Sequence, residues 1–287
     1  MKENKDLILK TNGFIECSAV SKDNRFLAAA EEKMLYIVDL NSNQLICNKL
    51  IEDGIQAIEN LYFDKTGRLF IDHRSHFSIW DRSGFFEPEF QYDDYRGFCF
   101  QDSKETGELL LSHPVKNRLF LTNKQLTDCT EAAELHYATD FADIEARFVL
   151  DDHLLVHTES WFTMKKHIKG EKVNFFEFKD WEKAVVLKVY KDQAVVFCND
   201  KIRIIDLSNP PNFKQIHEMK IPVKNKNNIW MDPLMNFLCY DHNDKLTVKD
   251  LKTGETVNEY EIENTFQVYF VFRKSIHVGY DEIVWLI

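Results

Sequence analysis

Ten histidines and a surplus of carboxylates are the side chains here that could bind a metal or move a proton, so their spacing comes first. His73 and His76 flank two residues, and His153 and His157 stand four apart, which puts both rings on one side of a strand because side chains alternate. Zinc needs three or four convergent ligands at ~2 Å, and neither pair has the local His or Cys spacing to supply them. Structural or exposed histidines are therefore expected, with no metal and no cofactor. Asp241-His242-Asn243-Asp244 lacks the twelve-residue oxygen-ligand pattern of a calcium loop. Ser112 and His113 are adjacent, but neighbours on a strand point to opposite faces, and Pro114 marks a turn. There is neither a G-x-S-x-G elbow nor a glycine-rich phosphate loop. A non-catalytic chain is expected. The alternative is a hydrolase or lyase whose groups converge on a central channel from several repeats, a site that no local motif would reveal.

Recognition chemistry is better represented. The segment QYDDYRG (91–97) joins Tyr92, Asp93, Asp94, Tyr95 and Arg96, aromatic area beside acidic charge. Tyr and Arg are enriched at interface hot spots, and the carboxylates favour a basic partner. The competing reading is a solvated loop whose tyrosines pack back on their neighbours. Trp181, in KDWEK (179–183), carries the same two readings. With 36 Lys and Arg against 47 Asp and Glu, the net charge of −11 works against nucleic acid and anionic membrane surfaces. The expected partner is a protein or peptide with a basic surface.

The elements that must position these residues show a repeat. LYIVDL, FSIWDR, RLFLTN, IRIIDL and LTVKDL each close an extended apolar run on a polar turn, at Asp39, Asp81, Thr122, Asp206 and Asp250. Asp39 to Asp81 is 42 residues and Asp206 to Asp250 is 44, while the 84 between Thr122 and Asp206 leaves room for one more unit, ending near Met164–Lys165. A period of this size marks stacked units too small to bury their own apolar faces. Two further registers run in step. Turn signals at Asp23, Asp64 and Asp232 precede the closing residues by 16 to 18. Hairpin signals fall at Glu31-Glu32, Asp72-His73, Ser112-His113, Asn199-Asp200 and Asp241–Asp244.

These registers predict an all-β fold: a seven-bladed β-propeller of four-stranded antiparallel blades in one domain, 1–287. The expected blades are 13–51, 52–92, 93–135, 136–178, 179–221 and 222–262, with 263–287 plus 5–11 as the seventh. Residues 263–287 hold three strands' worth of sequence, and a three-stranded sheet leaves an exposed edge. The lone run Asp6–Lys10 would complete that blade. A short helix is allowed within 126–148, where Ala and Glu are frequent. In each blade the turns between second and third strands share one rim with the blade-linking loops. Glu31, Glu32, His73, His76, His113, Asp200 and His242 are therefore expected beside the loops around Tyr92–Arg96, His136–Asp140 and Lys179–Trp181.

Through IWDR with Trp80-Asp81, the variants IVDL, IIDL and VKDL, and the turn-plus-strand SKDNRFLAAA, the chain resembles the WD-repeat-like propeller superfamily over nearly its whole length. The resemblance implies the propeller fold and, more loosely, a partner-binding role. The family's Gly-His pair is absent from every repeat, so its buried Asp–His–Ser/Thr–Trp tetrad does not carry over wholesale: Asp72, Asp241 and Trp80 fall near its positions, without a matching His. Six cysteines at 17, 47, 99, 129, 198 and 239 show no C-x-x-C pairing and are expected as reduced, buried thiols, a disulfide framework or a zinc site being the alternatives. MKENKDLILKTNG lacks the apolar core of a secretory signal, so a cytoplasmic protein is expected.

Overall fold

A computed structural model describes residues 5–51, 57–73, 76–81, 90–92, 98–113, 118–134, 145–149, 153–158, 161–166, 175–177, 184–209, 212–262, 265–271 and 274–286. These form seven four-stranded antiparallel sheets. The first runs through Cys17–Val20, Phe26–Glu31, Met34–Asp39 and Gln44–Leu50, each strand pairing with the next in sequence. The second to sixth repeat that meander with inner strands beginning at Asn60, Cys99, Glu145, Val185 and Ile229. The seventh comprises Gln267–Val271, Lys274–Val278 and Glu282–Leu286, and its fourth strand is Lys5–Lys10 from the other end of the chain. Lys5 lies opposite Leu286 and Lys10 opposite Glu282, with a register shift between Leu7 and Leu9. The edge that the C-terminal hairpin would expose is thus covered, as the sequence predicts.

By contact density the chain divides into two compact units, residues 1–109 with 264–287, and residues 110–263. The core of each follows from strand alternation. In the first unit, Ala28 and Ala30 of the strand Phe26–Glu31 pack with Ile58, Leu61, Leu69, Ile71 and Trp80 of the second sheet. Leu27 and Ala29 of the same strand turn the other way, to Leu9, Val271, Ile276, Val278 and Ile283 of the seventh. A sheet buried on both faces reads as a continuous apolar run, and FLAAA is one. In the second unit, Val195 and Phe197 meet Ile229, Leu238 and Leu251 of the sixth sheet. Ala194 and Val196 face Leu155 of the fourth.

The turn registers have a structural cause. Asp64, Lys104 and Asp232 each accept a backbone hydrogen bond three residues on, from Gly67, Gly107 and Met235, all at positive φ. Ser21 does the same for Asn24, so the first turn begins at Ser21 and not at Asp23, which the sequence aligns with Asp64. Asp23 acts later, accepting from the Ser21 hydroxyl and the Arg25 N–H. The closing aspartates cap the next turn: Asp39 accepts from the N–H groups of Asn41 and Ser42, Asp206 from Ser208, and Asp250 from Lys252 and Thr253. That is why Asp recurs there: a short side chain can bond to the backbone two residues on.

Within 126–148 the described residues form strands, Cys129–Glu134 and Glu145–Val149, and no helix. Pairing of Thr122 with Cys129 and Arg118 with Glu134 draws the alanine-rich stretch into the sheet, overriding its helical preference. The strand Trp161–Lys166 occupies the place left for a unit ending near Met164–Lys165.

Candidate protein-interaction surface

The residues singled out by sequence are placed unevenly. Asp93, Asp94, Tyr95, Arg96 and Trp181 lie outside the described residues, as do the loops His136–Asp140 and Lys179–Trp181. Tyr92 closes the outer strand Phe90–Tyr92 opposite Phe77, so QYDDYRG begins inside a sheet. His73 ends the strand Leu69–His73 opposite His76. His113 ends the strand Leu109–His113 with its side chain 8% exposed, which leaves little of it to offer a partner. His242 is exposed at the end of Phe237–His242, beside a turn whose Asn243 and Asp244 both have positive φ. His153 and His157 share the strand His153–Thr158. Trp80, the Trp of the closing motif, is fully buried and donates from Nε1 to the Ser78 hydroxyl at 3.2 Å.

A stronger surface lies in the first unit, at the end of the seventh sheet where Lys5–Lys10 hands over to the first sheet. Phe14, Phe266 and Tyr280 cluster there while 38%, 37% and 62% exposed. The Phe14 and Phe266 rings stand edge to face at 5.8 Å and 74°, and Phe14 and Tyr280 meet at 4.5 Å and 57°. Backbone hydrogen bonds hold all three. The Phe266 N–H donates to Val278 at 2.9 Å, Ile15 to the Tyr280 carbonyl at 2.8 Å, and Thr11 to the Asp281 carbonyl at 2.9 Å. The Thr11 hydroxyl donates to the Gly13 carbonyl at 2.8 Å, tightening the loop that carries Phe14.

Carboxylates stand on the elements that carry the rings, and Glu31 touches the loop before Phe14. Glu31 accepts from the Asn12 N–H at 3.3 Å and from the Tyr36 hydroxyl at 3.0 Å, fixing the loop from beneath. Burial and then the Glu31 carboxylate raise the Tyr36 phenol above its ordinary value, so Tyr36 stays a donor. A Cβ at Gly13 would lie 2.6 Å from a Glu31 oxygen, so a larger residue there would displace the end of that side chain. Glu16 bonds through its N–H to Ala30, and the Glu32 carbonyl accepts from Ile58. Burial, then the negative charges of Glu16 and Asp72, push the Cys17 thiol up to about 12. Asp281 is bridged to Lys10 at 2.6 Å, and its hydrogen bond raises the lysine's pKa. On these loops, turns and strand ends the described residues include Glu16, Glu31, Glu32, Asp281 and Glu282 against Lys10 and Lys33.

Nothing in the sequence registers marks Phe14, Phe266 or Tyr280. The available signal was indirect: pairing Asp6–Lys10 with 282–287 forces the following loop against the 279–281 turn. Among the described residues no group of three or more His, Cys, Asp or Glu is arranged to hold a metal ion.

Six four-stranded meanders and a terminal sheet shared between the two ends of the chain define a β-propeller, and comparison with solved structures agrees. The β-propeller domain of Cps50 (Swd1) from Myceliophteria thermophila superimposes with a TM-score of 0.73, covering 99% of each chain at 13% sequence identity. No family model and no curated protein matches the sequence.

Proposed function

We propose that this chain is a non-catalytic, cytoplasmic interaction protein, a seven-bladed propeller that binds a protein or peptide at the sheet ends carrying its blade-linking loops. The observation that carries the reading is the Phe14–Phe266–Tyr280 cluster, three contiguous exposed rings on a backbone pinned by hydrogen bonds. Contiguous exposed apolar surface rimmed by polar groups marks interaction sites, and a preorganised surface loses little entropy when a partner docks. The near-complete overlay on a propeller domain supports the blade count. Tyr92–Arg96 and His73 are proposed as further contacts, and so are Trp181, His242 and the end of the strand at His113. Six cysteines without a disulfide suit a reducing compartment.

The test is site-specific photo-crosslinking in native lysate, with a benzophenone amino acid at Tyr280 and, as control, at Thr253 in a turn between third and fourth strands. Position 280 should give a discrete adduct that Phe14→Ala abolishes. Equal capture from both positions, or an adduct indifferent to Phe14→Ala, would sink the proposal.

A further inference from the structure

We infer that the surface around Phe14, Phe266 and Tyr280 takes a linear peptide segment in which an aliphatic or aromatic anchor is flanked by lysine or arginine; this rests on the interaction reading above. The anchor follows from the rings. Phe14, in contact with both Phe266 and Tyr280, builds an apolar platform only a few side chains wide, since Phe14 and Phe266 are each more than half covered. That is too small for the ~800 Å² per partner of a stable interface between folded domains, and it suits one inserted side chain of a short segment.

The flanks follow from the charges. Glu16, Glu31, Glu32, Asp281 and Glu282 sit on the loop and turns that hold the rings or on the strands they adjoin, and Lys10 and Lys33 are the cations beside them. Lys10 is held by Asp281, and the Glu31 carboxylate by Asn12 and Tyr36, so these charges are fixed in place before a ligand arrives. An acidic segment would place like charges against this rim, and the negative surface of an anionic lipid bilayer would meet the same repulsion. A flanking guanidinium gains twice, from the carboxylates and from the exposed face of Tyr280.

The experiment uses the full chain and fluorescent nonapeptides with a central Leu or Phe, flanked by Lys/Arg, by Ser, or by Asp/Glu, read by anisotropy. The basic set should bind about tenfold more tightly than the neutral set, with the acidic set weakest, and should weaken between about 50 and about 300 mM salt. Phe14→Ala with Tyr280→Ala should cost about tenfold, and Glu16→Gln with Glu32→Gln several-fold and in the basic set alone, each with an unchanged unfolding midpoint. Acidic or neutral peptides binding as tightly as basic ones would overturn the inference. So would basic peptides that bind without the anchor or ignore the aromatic substitutions, since that is the attraction of any chain of net charge −11. Chain retained on phosphatidylserine vesicles would overturn it in favour of a membrane. If no peptide binds while position 280 still crosslinks a protein, the peptide inference fails and the interaction reading survives; a silent crosslinker removes both.

Discussion

Replacing Asp64 by Ala would leave Arg68 in the interior without its carboxylate. Asp64 is 0% exposed and accepts from the Thr66 N–H and hydroxyl and from the Arg68 N–H and Nε, all within 2.9 Å. Breaking a buried pair from one side costs about 3–5 kcal/mol, so Asp64→Ala should lower the urea midpoint severely. The capping aspartates give a different signature. Backbone hydrogen bonds from Thr253 and Lys252 hold Asp250 below the usual carboxylate range, and the Ser208 hydroxyl, then its N–H, lower Asp206. At Asp39, burial pushes the pKa up but is outweighed by Arg25, Asn41 and Ser42. A folded-state pKa below the unfolded one contributes stability present above about pH 4 and lost as pH falls through the folded value. Chemical-denaturation stability should therefore be level between about pH 5 and 7 and decline below about pH 4, with a shallower decline in Asp39→Asn, Asp206→Asn and Asp250→Asn combined. These aspartates stand out in the sequence because their work is local. Phe14, Phe266 and Tyr280 do not, because their meeting depends on strands more than 250 residues apart.

At the scale of the element, the strand Lys5–Lys10 decides the state of the seventh sheet. Deleting residues 1–10 would bare the edge of Glu282–Leu286 and uncover Val271, Ile276 and Ile283, which pack with Leu9. The truncated chain should self-associate, measured by light scattering, while the milder Leu9→Ala should cost about 2–5 kcal/mol and stay monodisperse. The strand Phe26–Glu31 makes the opposite demand. Ala28, Ala29 and Ala30 are buried between neighbouring sheets on both sides, so Ala29→Leu has nowhere to place three more carbons and should cost about 1–3 kcal/mol by equilibrium unfolding. Strand type was legible here from FLAAA and the closing motif. The strand Cys129–Glu134 was less so, since CTEAAE favours a helix in isolation and is extended only because Leu119 and Leu121 pair with it.

For the whole molecule, a net charge of −11 predicts that duplex DNA and heparin are not bound even at low salt; retention of the chain on heparin would reveal a local basic patch and overturn this. The propeller itself was written in the sequence by a period of 41 to 44, because each unit repeats the same local chemistry: a capped turn, a strand apolar on both faces, a tight hairpin. The terminal sheet was also legible, since three strands without a fourth leave an unsatisfied edge. The aromatic cluster of Phe14, Phe266 and Tyr280 was decided by the tertiary structure alone. Local rules fix which residues turn and which extend, and those depend on neighbours a few positions away. Which exposed side chains meet depends on how the terminal strand closes the last sheet, and this brings Phe14 to within 4.5 Å of Tyr280 though no short-range pattern joins them.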